Sequence, residues 1–144
     1  MALPIDQAEV SFAYTDFGKP GKVTSRTRLE DMDITQLVLS NNVRVNLKRT
    51  DFQKNSISVT LRFGNGMLTQ PKDKPGLERF TGMVVNAGGL GKHSIDELQR
   101  ILAGRNVGGF FEVDDDAFVV SGRTTPDDLE LEHGVENGGT VRYR

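Results

Sequence analysis

The feature that most constrains this chain is a switch of hydrophobic period between residues 63 and 77. Before it, apolar residues alternate. In "TQLVLSNNVRVNLK", residues 35–48, Leu37 and Leu39 alternate with their neighbours, and then Val43, Val45 and Leu47 share one face while Arg44, Asn46 and Lys48 take the other. Period two with one polar side is the pattern of a strand that is covered on one face and wet on the other. Asn41-Asn42 between the two runs tolerates positive φ, so the stretch reads as a hairpin. "ISVTLRF", residues 57–63, repeats the alternation, with Ile57, Val59, Leu61 and Phe63 inward.

After the switch the spacing is helical. Leu77, Phe80 and Val84 fall at i, i+3 and i+7 in "GLERFTGMVVNA", residues 76–87. Gly82 in its middle costs about 1 kcal/mol against alanine. "SIDELQRILAGR" is the clearest helix: Ser94 is the N-cap, Glu97 closes a capping box, and Ile95, Leu98, Ile101 and Leu102 form the apolar stripe up to Gly104. "VGGFFEV" and "AFVVSGR" then flank Asp114-Asp115-Asp116 as a second hairpin. A third helix is expected from "TTPDDLELE", with Thr125 as N-cap, Pro126 in the first helical position, and Asp127 and Asp128 facing the dipole. It is expected to break at His133, where the chain reads "HGVENGGTVRYR". The order β-β-β-α-α-β-β-α gives an α+β fold, an antiparallel sheet with helices packed on one face.

Composition narrows the function classes. The 144 residues make one domain or part of a larger one. With 18 basic and 20 acidic residues the net charge is −2, which gives no electrostatic footprint for nucleic acid. The absence of cysteine removes thiolate chemistry, disulfides and Cys-based metal sites. No apolar run approaches the ~18 residues of a membrane span. "MALPIDQAEV" has neither the basic nor the apolar region of a signal peptide. Compartment stays unknown.

The glycine-rich "NAGGLGKHS", residues 86–94, invites a phosphate-binding reading and fails it. A P-loop requires glycine where Asn86 stands and Ser or Thr where His93 stands, and it follows a strand rather than a helix. The alternative is an interhelical connection in which Gly88 or Gly89 supplies a left-handed C-terminal cap. His93 has no second histidine or cysteine at metal spacing and reads as a loop residue before Ser94. Asp114, Asp115 and Asp116 lack the calcium-loop pattern and read as a solvated turn. Phe110 and Phe111 read as core and edge packing.

Three stretches, taken in order, resemble one repeat of the insulinase/pitrilysin family of zinc metallopeptidases, which includes mitochondrial processing peptidase. They are "LVLSNNVRVNLKRT", "PGLERFTGMVVNAGGLGKHSIDELQRILAGRNVGGFFEV" and "DDDAFVVSGRTTPDDLELE", together about residues 34–132. Catalytic repeats of that family carry H-x-x-E-H on the first helix, where two histidines hold zinc and the glutamate activates water. The matching positions here are Arg79, Gly82 and Met83, so the resemblance carries over no catalytic and no metal residue. Arg79 either pairs with an acid in the vestige of that site or sits exposed.

The resemblance implies a degenerate, non-catalytic repeat whose role is to complete the peptide chamber of a catalytic partner half, in the same polypeptide or as a separate subunit. Zinc is expected only in that partner. On this reading residues 1–33 are a linker or edge-strand segment from an upstream half. Residues 34–132 are the first part of a truncated repeat, and residues 133–144 a divergent or non-native tail. A truncated repeat leaves apolar faces uncovered and favours self-association. The competing reading is a free-standing peptide- or protein-binding module that kept the fold without its activity. Family analogy allows the bacterial periplasm or cytoplasm, or an organelle.

Overall fold

The computed structural model describes residues 11–139, with the side chains of Gly134 and residues 136–139 outside that description. The signal-peptide reading of residues 1–10 and the last five residues of the tail therefore lie outside the described residues. The chain forms two compact units: one takes the chain up to Thr15 and from Ser56 onward, the other is Asp16–Asn55.

Unit Asp16–Asn55 is an antiparallel meander of β1 (Val23–Leu29), β2 (Ile34–Leu39) and β3 (Arg44–Lys48). The 3-10 turn Glu30–Met32 links β1 to β2, and Asp33 closes it in the left-handed region at φ 52°. The expected hairpin joins β2 to β3. Only Asn42 of its asparagine pair takes positive φ, 65°. Asn41 instead uses its side chain, whose Oδ1 accepts from the Val43 N–H at 3.2 Å. β1 pairs with β2 from Leu29↔Ile34 to Val23↔Leu39, with an irregularity between Val23 and Ser25.

The other unit holds β4 (Ile57–Phe63), α1 (Leu77–Ala87), α2 (Ile95–Ile101), β5 (Gly109–Val113), β6 (Phe118–Thr124) and α3 (Leu129–Gly139). Its sheet has the antiparallel order β4-β6-β5. The α+β class holds, with the strands shared between two three-stranded sheets. The core centres on β6 and α2: Leu98, Ala117 and Val119 are buried. Phe118 packs against both Phe63 and Phe111, at ring-centroid distances of 5.8 and 6.2 Å.

Four sequence expectations need correction. The stripe Leu77, Phe80 and Val84 does form one side of a helix, but all three are exposed, and α1 has no buried residue. Ile95 is exposed too, leaving Leu98 as the buried anchor of α2. Gly88 caps α1 in an extended conformation (φ −77°, ψ 170°), its N–H donating to the Val84 carbonyl. Neither it nor Gly89 is left-handed. Gly89 is required by proximity instead, because a Cβ there would fall on the His93 carbonyl. Finally, α3 starts at Leu129 and runs through His133 to Gly139. Residues 126–128 form a turn, in which Asp128 N–H donates to the Thr125 carbonyl at 3.2 Å. The first helical bond runs from the Glu132 N–H to the Asp128 carbonyl at 3.0 Å, while the Asp128 carboxylate bonds the chain before β5.

Candidate functional site

Arg79, Gly82 and Met83 lie on α1 at the i, i+3, i+4 spacing that places them on one helix face. Arg79 is exposed and makes no ion pair among the described residues. Met83 is exposed, and a Cβ built on Gly82 meets no atom within 4 Å. The face is therefore open. A guanidinium, a bare backbone and a thioether do not make the nitrogen- and carboxylate-rich tetrahedral set that zinc takes. The described residues hold no group of three or more His, Asp or Glu placed for a metal.

One turn further on, Asn86 reaches from α1 to β5. Its Oδ1 accepts from the Phe111 N–H at 2.8 Å, and its Nδ2 donates to the Phe111 carbonyl at 2.7 Å and to the Gly82 carbonyl at 2.8 Å. Nothing in the local sequence marks Asn86 for this role; it follows from where β5 lies.

The glycine loop after α1 is held by the segment at residues 12–14. His93 is buried between aromatic rings: Phe12 stacks on it at 5.6 Å and Tyr14 meets it edge-on at 5.9 Å. Its Nε2 accepts from the Ala13 N–H at 2.9 Å, while Nδ1 is buried without a hydrogen-bond partner. The Tyr14 hydroxyl accepts from the Lys92 N–H at 2.8 Å, and the Lys92 ammonium sits 5.5 Å from the centre of its ring. His93 is thus a packing residue, more enclosed than a loop residue before a cap. The capping box itself forms as expected: Ser94 Oγ accepts from the Glu97 N–H, and Glu97 Oε2 accepts from the Ser94 N–H. That N–H, first among the causes, holds the Glu97 carboxyl below its ordinary range.

The three aspartates of the hairpin act as a turn. Arg62 forks across it, with Nη1 3.0 Å from Asp114 Oδ2 and Nη2 2.7 Å from Asp116 Oδ1. The Asp115 N–H donates to Asp114 Oδ1 at 3.0 Å and is the main cause of the lowered Asp114 pKa, with Arg62 second. The guanidinium offsets one of the three negative charges here.

Two acids of the "TTPDDLELE" stretch, one of them expected only to face the helix dipole, prove structurally important. Asp128 Oδ2 accepts from the Asn106 N–H at 3.0 Å, and Oδ1 pairs with Arg105 at 3.1 Å. Glu132, one turn later and fully buried, accepts from the Gly108 N–H at 2.9 Å through Oε2, while Oε1 has no partner. Together they dock α3 onto the chain entering β5. Their i, i+4 spacing is visible in the sequence, but their burial is not.

This arrangement defines an α+β fold in which Arg79, Gly82 and Met83 share an open helix face without imidazole or carboxylate. No sequence-family model matches the chain, and no curated protein sequence does. Solved structures do match. The periplasmic protease PqqL from Escherichia coli aligns with 96% of the chain at TM-score 0.82 and 21% identity. The ferredoxin protease FusC, solved in complex with Arabidopsis ferredoxin, aligns with 98% at TM-score 0.77 and 18% identity. At such identities the likeness establishes the fold. The chain spans 15% of the first protein and 16% of the second.

Proposed function

We propose that this chain is the non-catalytic repeat of a zinc metallopeptidase of the insulinase type, completing the peptide chamber of a catalytic half. The observation that carries the reading is the open face at Arg79, Gly82 and Met83 of α1, in a fold shared with proteases. The family's chemistry needs two imidazoles and a carboxylate at those positions. This chain keeps the scaffold and offers none of the three, so its contribution is architectural, and zinc would belong to the partner. The exposed apolar side chains of α1 favour a reading in which other protein surface covers them.

The test is reconstitution. The purified chain is mixed with the proposed catalytic half, and zinc-dependent cleavage of a quenched fluorescent peptide is followed, with each part alone as control. Cleavage by the mixture only is expected. A mixture that neither cleaves nor associates rejects the chamber role and leaves the free-standing binding module, which needs a different partner.

A further inference from the structure

We infer that Asn86 is a built-in occupant of the outer edge of β5, which it closes against extended peptides. β5 is the last strand in the order β4-β6-β5, so among the described residues one of its sides has no strand beside it. The Asp114 N–H donates to the Ala117 carbonyl at 2.9 Å, which fixes the register of the hairpin. Antiparallel alternation then turns the backbone groups of Phe110 and Glu112 toward Ser121 and Val119. It turns those of Gly109, Phe111 and Val113 outward. Such a row of outward N–H and C=O groups is a template for an added strand.

The carboxamide of Asn86 sits at the middle of that row. A primary amide carries the same donor–acceptor pair as a peptide group, and here it meets both backbone groups of Phe111, at 2.8 and 2.7 Å. Its second proton is bonded to the Gly82 carbonyl of its own helix. The side chain thus stands where one peptide unit of a docked strand would stand, and α1 stands behind it. α1 has no buried side chain, and these bonds tie its last turn to β5. The consequence is a sheet edge that belongs to the chain itself. The inference concerns this chain alone and stands whether or not a catalytic half exists.

The test uses the full 144-residue chain, ¹⁵N-labelled, and one probe: a fluorescein-labelled peptide of the β6 sequence FVVSGRT with a lysine at each end. In the native chain the Phe111 amide is expected to be protected from exchange and the probe to leave Gly109, Phe111 and Val113 unchanged. In Asn86→Ala the Phe111 amide should exchange about tenfold faster, while Glu112, bonded to β6, keeps its rate. The probe should bind the variant about thirtyfold more tightly than the native chain, as loss of two hydrogen bonds of ordinary net strength predicts. Asn86→Asp is the second variant: it keeps an acceptor for the Phe111 N–H but sets a carboxylate oxygen against the Phe111 carbonyl. Probe binding at β5 by either variant supports the inference. It is overturned if the native chain takes the probe at Gly109–Val113, or if both variants give native-like amide spectra and bind no better than the native chain.

Discussion

Asp128 and Glu132 are one helical turn apart, and both are buried, yet their environments push them in opposite directions. The Asn106 N–H, with Arg105 beside it, holds Asp128 below the ordinary carboxylate range. Burial, only partly offset by the Gly108 N–H, pushes Glu132 up. A lowered acid contributes stability above its unfolded pKa and loses it as pH falls. A raised acid does the reverse: its contribution is full below the unfolded value, about 4.3, and is lost as pH rises through the folded value. Glu132→Gln removes that second loss. The melting temperature of the variant relative to native should therefore climb as pH rises from 4 upward, when followed by circular dichroism. A difference that stays flat across that range would count against an uncomfortable buried carboxylate. Glycines in and just after α1 give a second prediction at this scale. Gly82→Ala meets open space and should stabilise by up to about 1 kcal/mol through helix propensity. Gly89→Ala would drive a methyl into the His93 carbonyl and should cost about 1–3 kcal/mol. Urea unfolding reads both, and equal signs would refute the contrast.

At the scale of elements, α1 is the anomaly. Phe80, Met83 and Val84 are 63%, 62% and 52% exposed, on a helix whose period alone promises a buried face. The described residues provide nothing to cover that face, so it remains available to other protein surface. Replacing Phe80 and Val84 by glutamate should leave stability within about 0.5 kcal/mol, as for ordinary surface changes. Self-association should weaken, by sedimentation velocity. A large loss of stability would mean that the face is packed in solution. The capping box of α2 shows the opposite case, a local device whose sequence signature and structure coincide because Ser94 and Glu97 need only each other.

At the scale of the molecule, stability is expected to be uneven. No residue of Asp16–Asn55 is buried, whereas Leu98, Ala117 and Val119 all belong to the other unit. Amides of β2 and β3 should exchange faster than those of β6, whose Val119 and Thr124 are buried. Hydrogen exchange by mass spectrometry reads this directly, and equal protection of the two units would show that they unfold as one. No helix among the described residues is long and apolar enough to cross a membrane.

The strands β2 to β6 and the bodies of α1 and α2 were legible because period, turn residues and caps are local. That Arg79, Gly82 and Met83 bring no imidazole or carboxylate was legible too, because ligand chemistry is a property of residue type. What the sequence by itself determined, then, was the kind and order of those elements and the residue types on the Arg79–Met83 face of α1. Tertiary structure alone decided the rest. It brought Asn86 to the edge of β5, 25 residues away, and enclosed His93 with Phe12 and Tyr14. It also turned Asp128 and Glu132 from surface acids into the lock on α3. These contacts join segments distant along the chain, and no periodicity or propensity records which backbone group a polar side chain will find.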